Sequence, residues 1–330
     1  MRSPLKLLAP FATALLAPLL AASHCAGQKT PTHVFALRAD SPSFWSLFDE
    51  NTQLTTVGSD FGFTEGPVWE PSGSIIVSDE ETNELCRLYP DGHHDVILKL
   101  GDPDGNTRDA QGRIIVTASI LRAILRLAPD EKSYAVIADR YQGMRLNSPN
   151  DVTLGPDGAL YFTDPTLDLV KGEKQEIPFQ GVYRLSAEGK ITLLIRDLSQ
   201  PNGLAFSPDG RTLYVDDTDR RTIWRYDFAL GAVSNGRIFA EEKIEGEPGV
   251  PDGMKVDHSG NLYVTGPGGV WVWSAMGERL GRIILPSIPA NLTWGGKNRA
   301  TLFITAGHYV YSIKTKAAGY LPYADPKEKK

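Results

Sequence analysis

Six times along the chain a polar residue opens a short apolar run. A turn carrying glycine follows, then a β-branched or aromatic run that ends in Thr, Ser or Asp. The copies read EGPVWEPSGSIIVSD from Glu65, DGNTRDAQGRIIVTA from Asp104, NDVTLGPDGALYFTD from Asn150, NGLAFSPDGRTLYVDD from Asn202, DGMKVDHSGNLYVTG from Asp252 and NLTWGGKNRATLFITA from Asn291. Gly73, Gly112, Gly158, Gly210 and Gly260 each stand eight residues after the opening residue, where a tight turn uses glycine's freedom at positive φ. Second strands are expected at 75–77, 114–116, 161–163, 213–215, 262–264 and 302–304, and further strands follow in each unit, as at 85–89 and 270–273. No long amphipathic helical pattern interrupts them.

The copies begin 39, 46, 52, 50 and 39 residues apart, the length of a four-stranded propeller blade. The expected fold is therefore all-β, a six-bladed β-propeller over 46–321. A sandwich would not hold the shared eight-residue register. The strand-like 54–57, ahead of the first copy, is expected to complete the last blade and close the ring. Residues 27–45 read as an N-terminal linker or wrap and 322–330 as a C-terminal tail. Segment 164–180 is a long charged insert, either a solvated loop or a lid beside the pocket.

Composition refines this picture. Arg2 and Lys6 precede the apolar run 7–22, and small residues follow, so 1–26 reads as a signal peptide cut after Ser23 or Ala26. The run is short for a membrane anchor and holds Pro10 and Pro18. A lipid-modified Cys25 fits less well, because His24 stands where a small residue is expected. Export to the periplasm or beyond follows, with no span in the mature chain. Removing Arg2 and Lys6 takes the formal charge from −6 to about −8, which argues against nucleic acid or anionic membranes as partners. The chain reads as a monomer or weak oligomer. Two cysteines, Cys25 and Cys86, imply no disulfide framework.

The chemistry lies in the opening residues: Glu65, Asp104, Asn150, Asn202, Asp252 and Asn291. Turn capping explains one or two of them, but Glu is not a turn former. A ring of blades brings equivalent positions together, so six side-chain oxygens converge at one end of the tunnel. Converging carboxylates repel unless protonated or neutralised by a cation. Hard oxygen donors without His or Cys suit Ca2+ best, then Mg2+ or Mn2+, with Zn2+ less well matched.

Glu65-Gly-Pro-Val-Trp69, Asn147-Ser-Pro-Asn-Asp151, Pro201-Asn-Gly203 and Pro251-Asp-Gly253 closely resemble signature segments of the SMP-30/gluconolactonase/luciferin-regenerating-enzyme family. Thr265-Gly-Pro-Gly-Gly269 and Pro289-Ala-Asn-Leu292 resemble its bacterial gluconolactonase branch. The resemblance runs from about Phe61 to His308. It implies a six-bladed propeller with one divalent metal, ligands at Glu65, Asn150, Asn202 and Asp252, and proton transfer by Asp252. It further implies hydrolysis of a small lactone.

Two departures bear on the substrate. Ser148 stands where some relatives carry Arg, leaving Arg145 or Asn147 as candidate substrate contacts, and Ala118-Ser-Ile-Leu121 replaces a more polar segment. Some relatives contact sugar through a carboxylate on the following loop, and Asp168 sits nearest to it in spacing; Asp104 and Asn291 are further candidate contacts. Two rivals remain at this stage: a phosphotriesterase-like hydrolase on the same scaffold, and a non-catalytic propeller stabilised by Ca2+. His93 and His94 read as exposed loop residues; His308, just past the last copy, stands near the rim within approach of the tunnel, where a lone His is more often structural. Gly266–Gly269 lacks the strand-then-helix context of a phosphate cradle.

Overall fold

The computed structural model describes residues 33–324. The signal peptide and Lys327–Lys330 lie outside them. Six antiparallel sheets of four or five strands follow one another along the chain, with a two-stranded hairpin, Arg140–Tyr141 paired with Met144–Arg145, between the second and the third. The innermost strands of blades one to six are Thr64–Trp69, Pro103–Arg108, Val152–Leu154, Pro201–Phe206, Met254–Val256 and Asn291–Gly295. The second strands are Ile75–Asp79, Ile114–Ala118, Leu160–Asp164, Thr212–Asp217, Leu262–Gly266 and Thr301–Ala306. Each second strand is buried along its whole length, because neighbouring blades cover both its faces. That is why these stretches read as continuous apolar runs and not as alternation. The outermost strands of blades one and two, His94–Lys99 and Tyr134–Ala138, are largely exposed.

The fold has no single core. Six apolar clusters fill the six gaps between successive blades. The gap between blades one and two, for example, packs Val68, Ile76 and Leu85 against Val116 and Leu125. Leu54–Gly58 pairs with Tyr309–Lys314 as the outer strand of blade six, with Leu54 opposite Ile313, so the chain's beginning closes the ring on its end. Ala36–Ala39 adds a fifth strand to blade five, and Phe44 and Phe48 enter the core between blades five and six. Among the described residues no helix is long and apolar enough to cross a membrane.

The C-terminal segment closes the tunnel at the end away from the register residues. Tyr320 joins the core between blades four and five, and Leu321 that between five and six. The Tyr323 hydroxyl donates to the Trp69 carbonyl at 3.2 Å, and its ring touches clusters on both sides of the axis.

Candidate functional site

All six opening residues lie at one end of the tunnel, at or just before the start of an innermost strand. Breaks in pairing between Glu65 and Val68, Pro103 and Asn106, and Pro201 and Leu204 turn the strand entries out of the ladder. Glycine follows the opening residue in four copies because neighbouring backbones approach closely there. A Cβ on Gly66 would collide with the Asp104 carbonyl, and one on Gly203 with the Asp252 carbonyl.

The six side chains form three amide–carboxylate pairs, each joining adjacent blades. Asn291 Nδ2 donates to Glu65 Oε2 at 2.8 Å. Asn150 Nδ2 donates to Asp104 Oδ2 at 2.6 Å, and the Asn202 amide to the Asp252 carboxylate. A second tier supports them. The penultimate residue of every second strand is a fully buried Ser78, Thr117, Thr163, Asp216, Thr265 or Thr305. Ser78 Oγ donates to the Asp104 carbonyl at 2.7 Å, Thr117 Oγ1 to the Asn150 carbonyl and Thr265 Oγ1 to the Ala290 carbonyl at 2.8 Å, stitching blade one to two, two to three and five to six. Blade four alone puts a carboxyl there: Asp216 Oδ2 accepts Gly203 N–H at 3.1 Å.

Burial dominates the electrostatics. It pushes the Glu65 carboxyl up to about 7, aided by the Asp151 charge and opposed by hydrogen bonds from Gly66 N–H and Asn291. Asp252 is raised well above the ordinary range by burial and then by the charges of Glu65, Asp151 and Asp168. Asp104 is raised by burial and by Glu80, Glu65, Asp168 and Asp102. Burial and Asp168 push Asp102 up to about 7. The mouth is therefore more acidic than the repeat register alone implies. Glu80, Asp102 and Asp151 went unnoticed in the sequence, the first two because they sit on turns outside the register, the third because Asn150 beside it carries the repeat.

Other expected contacts fall differently. Asp168 lies beside the strand entry of blade three, its N–H donating at 3.2 Å to Ser148 Oγ, two residues before Asn150. Asn147 is fully enclosed; its Nδ2 donates to the carbonyls of Asp164 at 3.1 Å and Phe179 at 3.0 Å, so it anchors the insert. Arg145 pairs with Glu173 at 3.5 Å on the insert. Asn291 Oδ1 accepts from Leu292 N–H at 2.9 Å and Lys255 Nζ at 3.1 Å, which leaves its amide engaged by the protein. His93 pairs with Asp91, and His308 contacts the Phe61 carbonyl from an exposed turn.

The donor set fits a hard cation. Among the described residues no three His, Cys, Asp or Glu side chains form a ready cage; the ring adds the amide oxygens of Asn150 and Asn202 to its carboxyls. Glu65 Oε1 is buried without a hydrogen-bond partner, an acceptor that asks for a positive neighbour. Clustered carboxyls held above their ordinary range ask for the same.

Comparison with known proteins agrees with this architecture. The model of the SMP-30/gluconolactonase/LRE-like region matches residues 63–308. A gluconolactonase of Zymomonas mobilis is 35% identical over 84% of this chain and 86% of its own length. The pentonolactonase XacC of Haloferax volcanii is 30% identical over 73% of this chain and 80% of its own. A solved gluconolactonase structure from Xanthomonas campestris superposes with a TM-score of 0.78 at 32% identity, covering 86% of this chain and 98% of that one. The six-bladed ring, its paired register residues and these matches lead to one statement of kinship: the chain belongs to the SMP-30/gluconolactonase/LRE-like family.

Proposed function

We propose that this protein is an exported lactone hydrolase that works with one divalent cation, Ca2+ being the best match to its oxygen donors. The observation that carries the cation is the buried, unpartnered Glu65 Oε1 within a ring of carboxyls held above their ordinary range. The lactone chemistry is supported by the activities of the gluconolactonase and pentonolactonase relatives.

Glu65, Asn150, Asn202 and Asp252 would hold the cation. Asn202 and Asn150 each spend their amide hydrogens on a carboxylate, which frees their oxygens for a ligand role. When bound, the cation supplies Lewis acidity toward the lactone carbonyl and stabilises the charge developing on its oxygen. Asp252 is the one ring residue only partly enclosed, and so the one that meets substrate and water. Its carboxylate takes a proton from the attacking water and returns it to the departing ring oxygen. Glu80, Asp102 and Asp168 line the mouth with acceptors for substrate hydroxyls.

The test is a chelated preparation assayed on glucono-δ-lactone before and after Ca2+ is returned, in parallel with simple esters and organophosphates. Calcium-restored lactone turnover supports the reading. Turnover of organophosphates without lactones moves the protein to the phosphotriesterase class, and no turnover with metal bound leaves a ligand-binding propeller.

A further inference from the structure

In every blade the turn from second to third strand stands at the ring's end of the tunnel. Five of these turns span two to four residues; in blade three the connection runs over 165–180. It is not a loose loop. Ile177 is fully buried in the core between blades two and three. Ser148 Oγ donates to the Pro165 carbonyl at 2.8 Å and accepts from Asp168 N–H at 3.2 Å. Gln180 reaches across to blade four, donating to the Ser199 carbonyl at 2.5 Å.

The outer half of the segment depends on Arg122. Arg122 closes the equivalent turn of blade two and is only 2% exposed; its φ of 57° belongs to the turn, since Asn83 and Arg221 close the turns of blades one and four at 59° and 56°. Its guanidinium ties this turn to the neighbouring insert. Nε donates to the Leu146 carbonyl at 2.6 Å, and Nη1 to Glu173 at 2.9 Å and the Lys174 carbonyl at 3.4 Å. Glu176 adds a second tie, accepting Arg145 N–H at 2.8 Å. The stretch bearing Asp168 therefore runs from the Ser148 anchor at one end to the Arg122 latch at the other.

We propose that Arg122 is a positioning residue for the substrate pocket: its pairing with Glu173 holds 165–180 as a fixed wall and keeps Asp168 at the tunnel mouth. The inference rests on the lactone-hydrolase reading for its kinetic consequence. A planar fork gripping two carbonyls and a carboxylate suits this task better than a point charge.

The experiment compares wild type with Glu173→Gln and Glu173→Asp by hydrogen–deuterium exchange over 165–180, by kinetics on glucono-δ-lactone and by Ca2+ titration. Glu173 is partly exposed, so its replacement leaves the folded core intact. Glu173→Gln is expected to speed exchange about tenfold, as a local opening does. It is also expected to raise KM about fivefold with kcat within about twofold, the pattern of lost substrate binding. Calcium affinity stays within about twofold because the ring is untouched, and Glu173→Asp recovers part of both effects. Unchanged exchange overturns the latch, and faster exchange with unchanged KM overturns the wall. A wild type without lactone turnover overturns the wall together with the reading beneath it; the failures are distinct, because the reading fails in wild type and the latch only in the variants.

Discussion

Asn150 and Asp104 face each other across the gap between blades three and two, the amide donating to Asp104 Oδ2 at 2.6 Å. Asp104 thereby fixes which end of the Asn150 amide points into the tunnel. Asp104→Leu should leave that orientation free and weaken Ca2+ binding about 10-fold, the usual scale for losing an outer support of a ligand. Asp104→Asn keeps an acceptor and should lose less. Calorimetric titration of both variants checks this.

Stability without a cation should fall as pH rises. Glu65 holds its proton in the folded protein up to about 7, above the 4.5 expected in the unfolded chain. Between those values the folded state binds the extra proton, so each step up in pH favours unfolding. The loss from this group is on the order of 3 kcal/mol between pH 4.5 and 7. Urea denaturation in chelator should show the decline, and saturating Ca2+ should flatten it.

Asp252→Asn should cut kcat about 10²–10⁴-fold, the range for losing a general acid–base. Glu65→Gln should act through the cation instead, weakening its binding and leaving activity recoverable at high Ca2+. Rate measurements across a calcium series separate the two. Equal, irreversible losses would contradict the division of roles.

Asp216 occupies the place that a hydroxyl fills in the other five blades. Burial and the charges of Asp252 and Glu242 hold its carboxyl well above the ordinary range. Asp216→Thr should therefore raise the melting temperature. The gain should grow as pH climbs above about 4, where the unfolded carboxyl ionises and the buried one resists. Melting curves at pH 5 and pH 8 provide the comparison.

Tyr323 closes the far end of the tunnel. Tyr323→Phe removes the bond to the Trp69 carbonyl and should cost about 1 kcal/mol. Tyr323→Ala opens a cavity between the blades and should cost about 3–5 kcal/mol, by analogy with other buried aromatic truncations. Denaturant midpoints of the two variants test both.

The fold was legible because a propeller writes itself locally. Each blade is a contiguous run of sequence, so one polar residue, one turn glycine and one apolar strand recur in register. The closing strand at Leu54–Gly58 was legible for the same reason, as the one strand signal left over before the first copy. The six ring residues followed from that register, since equivalent positions in a closed ring must converge.

The sequence could not say how those six pair. Glu65 and Asn291 are 226 residues apart and meet only because the ring closes. Nor could it weigh Asn147, whose place beside the third register residue suggests a substrate contact but whose amide is spent on the Asp164 and Phe179 carbonyls. Glu80 and Asp102 reach the mouth from turns, where no repeat marks them. Repetition is a property of the chain and can be read along it. Which oxygen is free, which proton is shared and which loop stands over the tunnel depend on contacts between blades, and those exist only once the ring has closed.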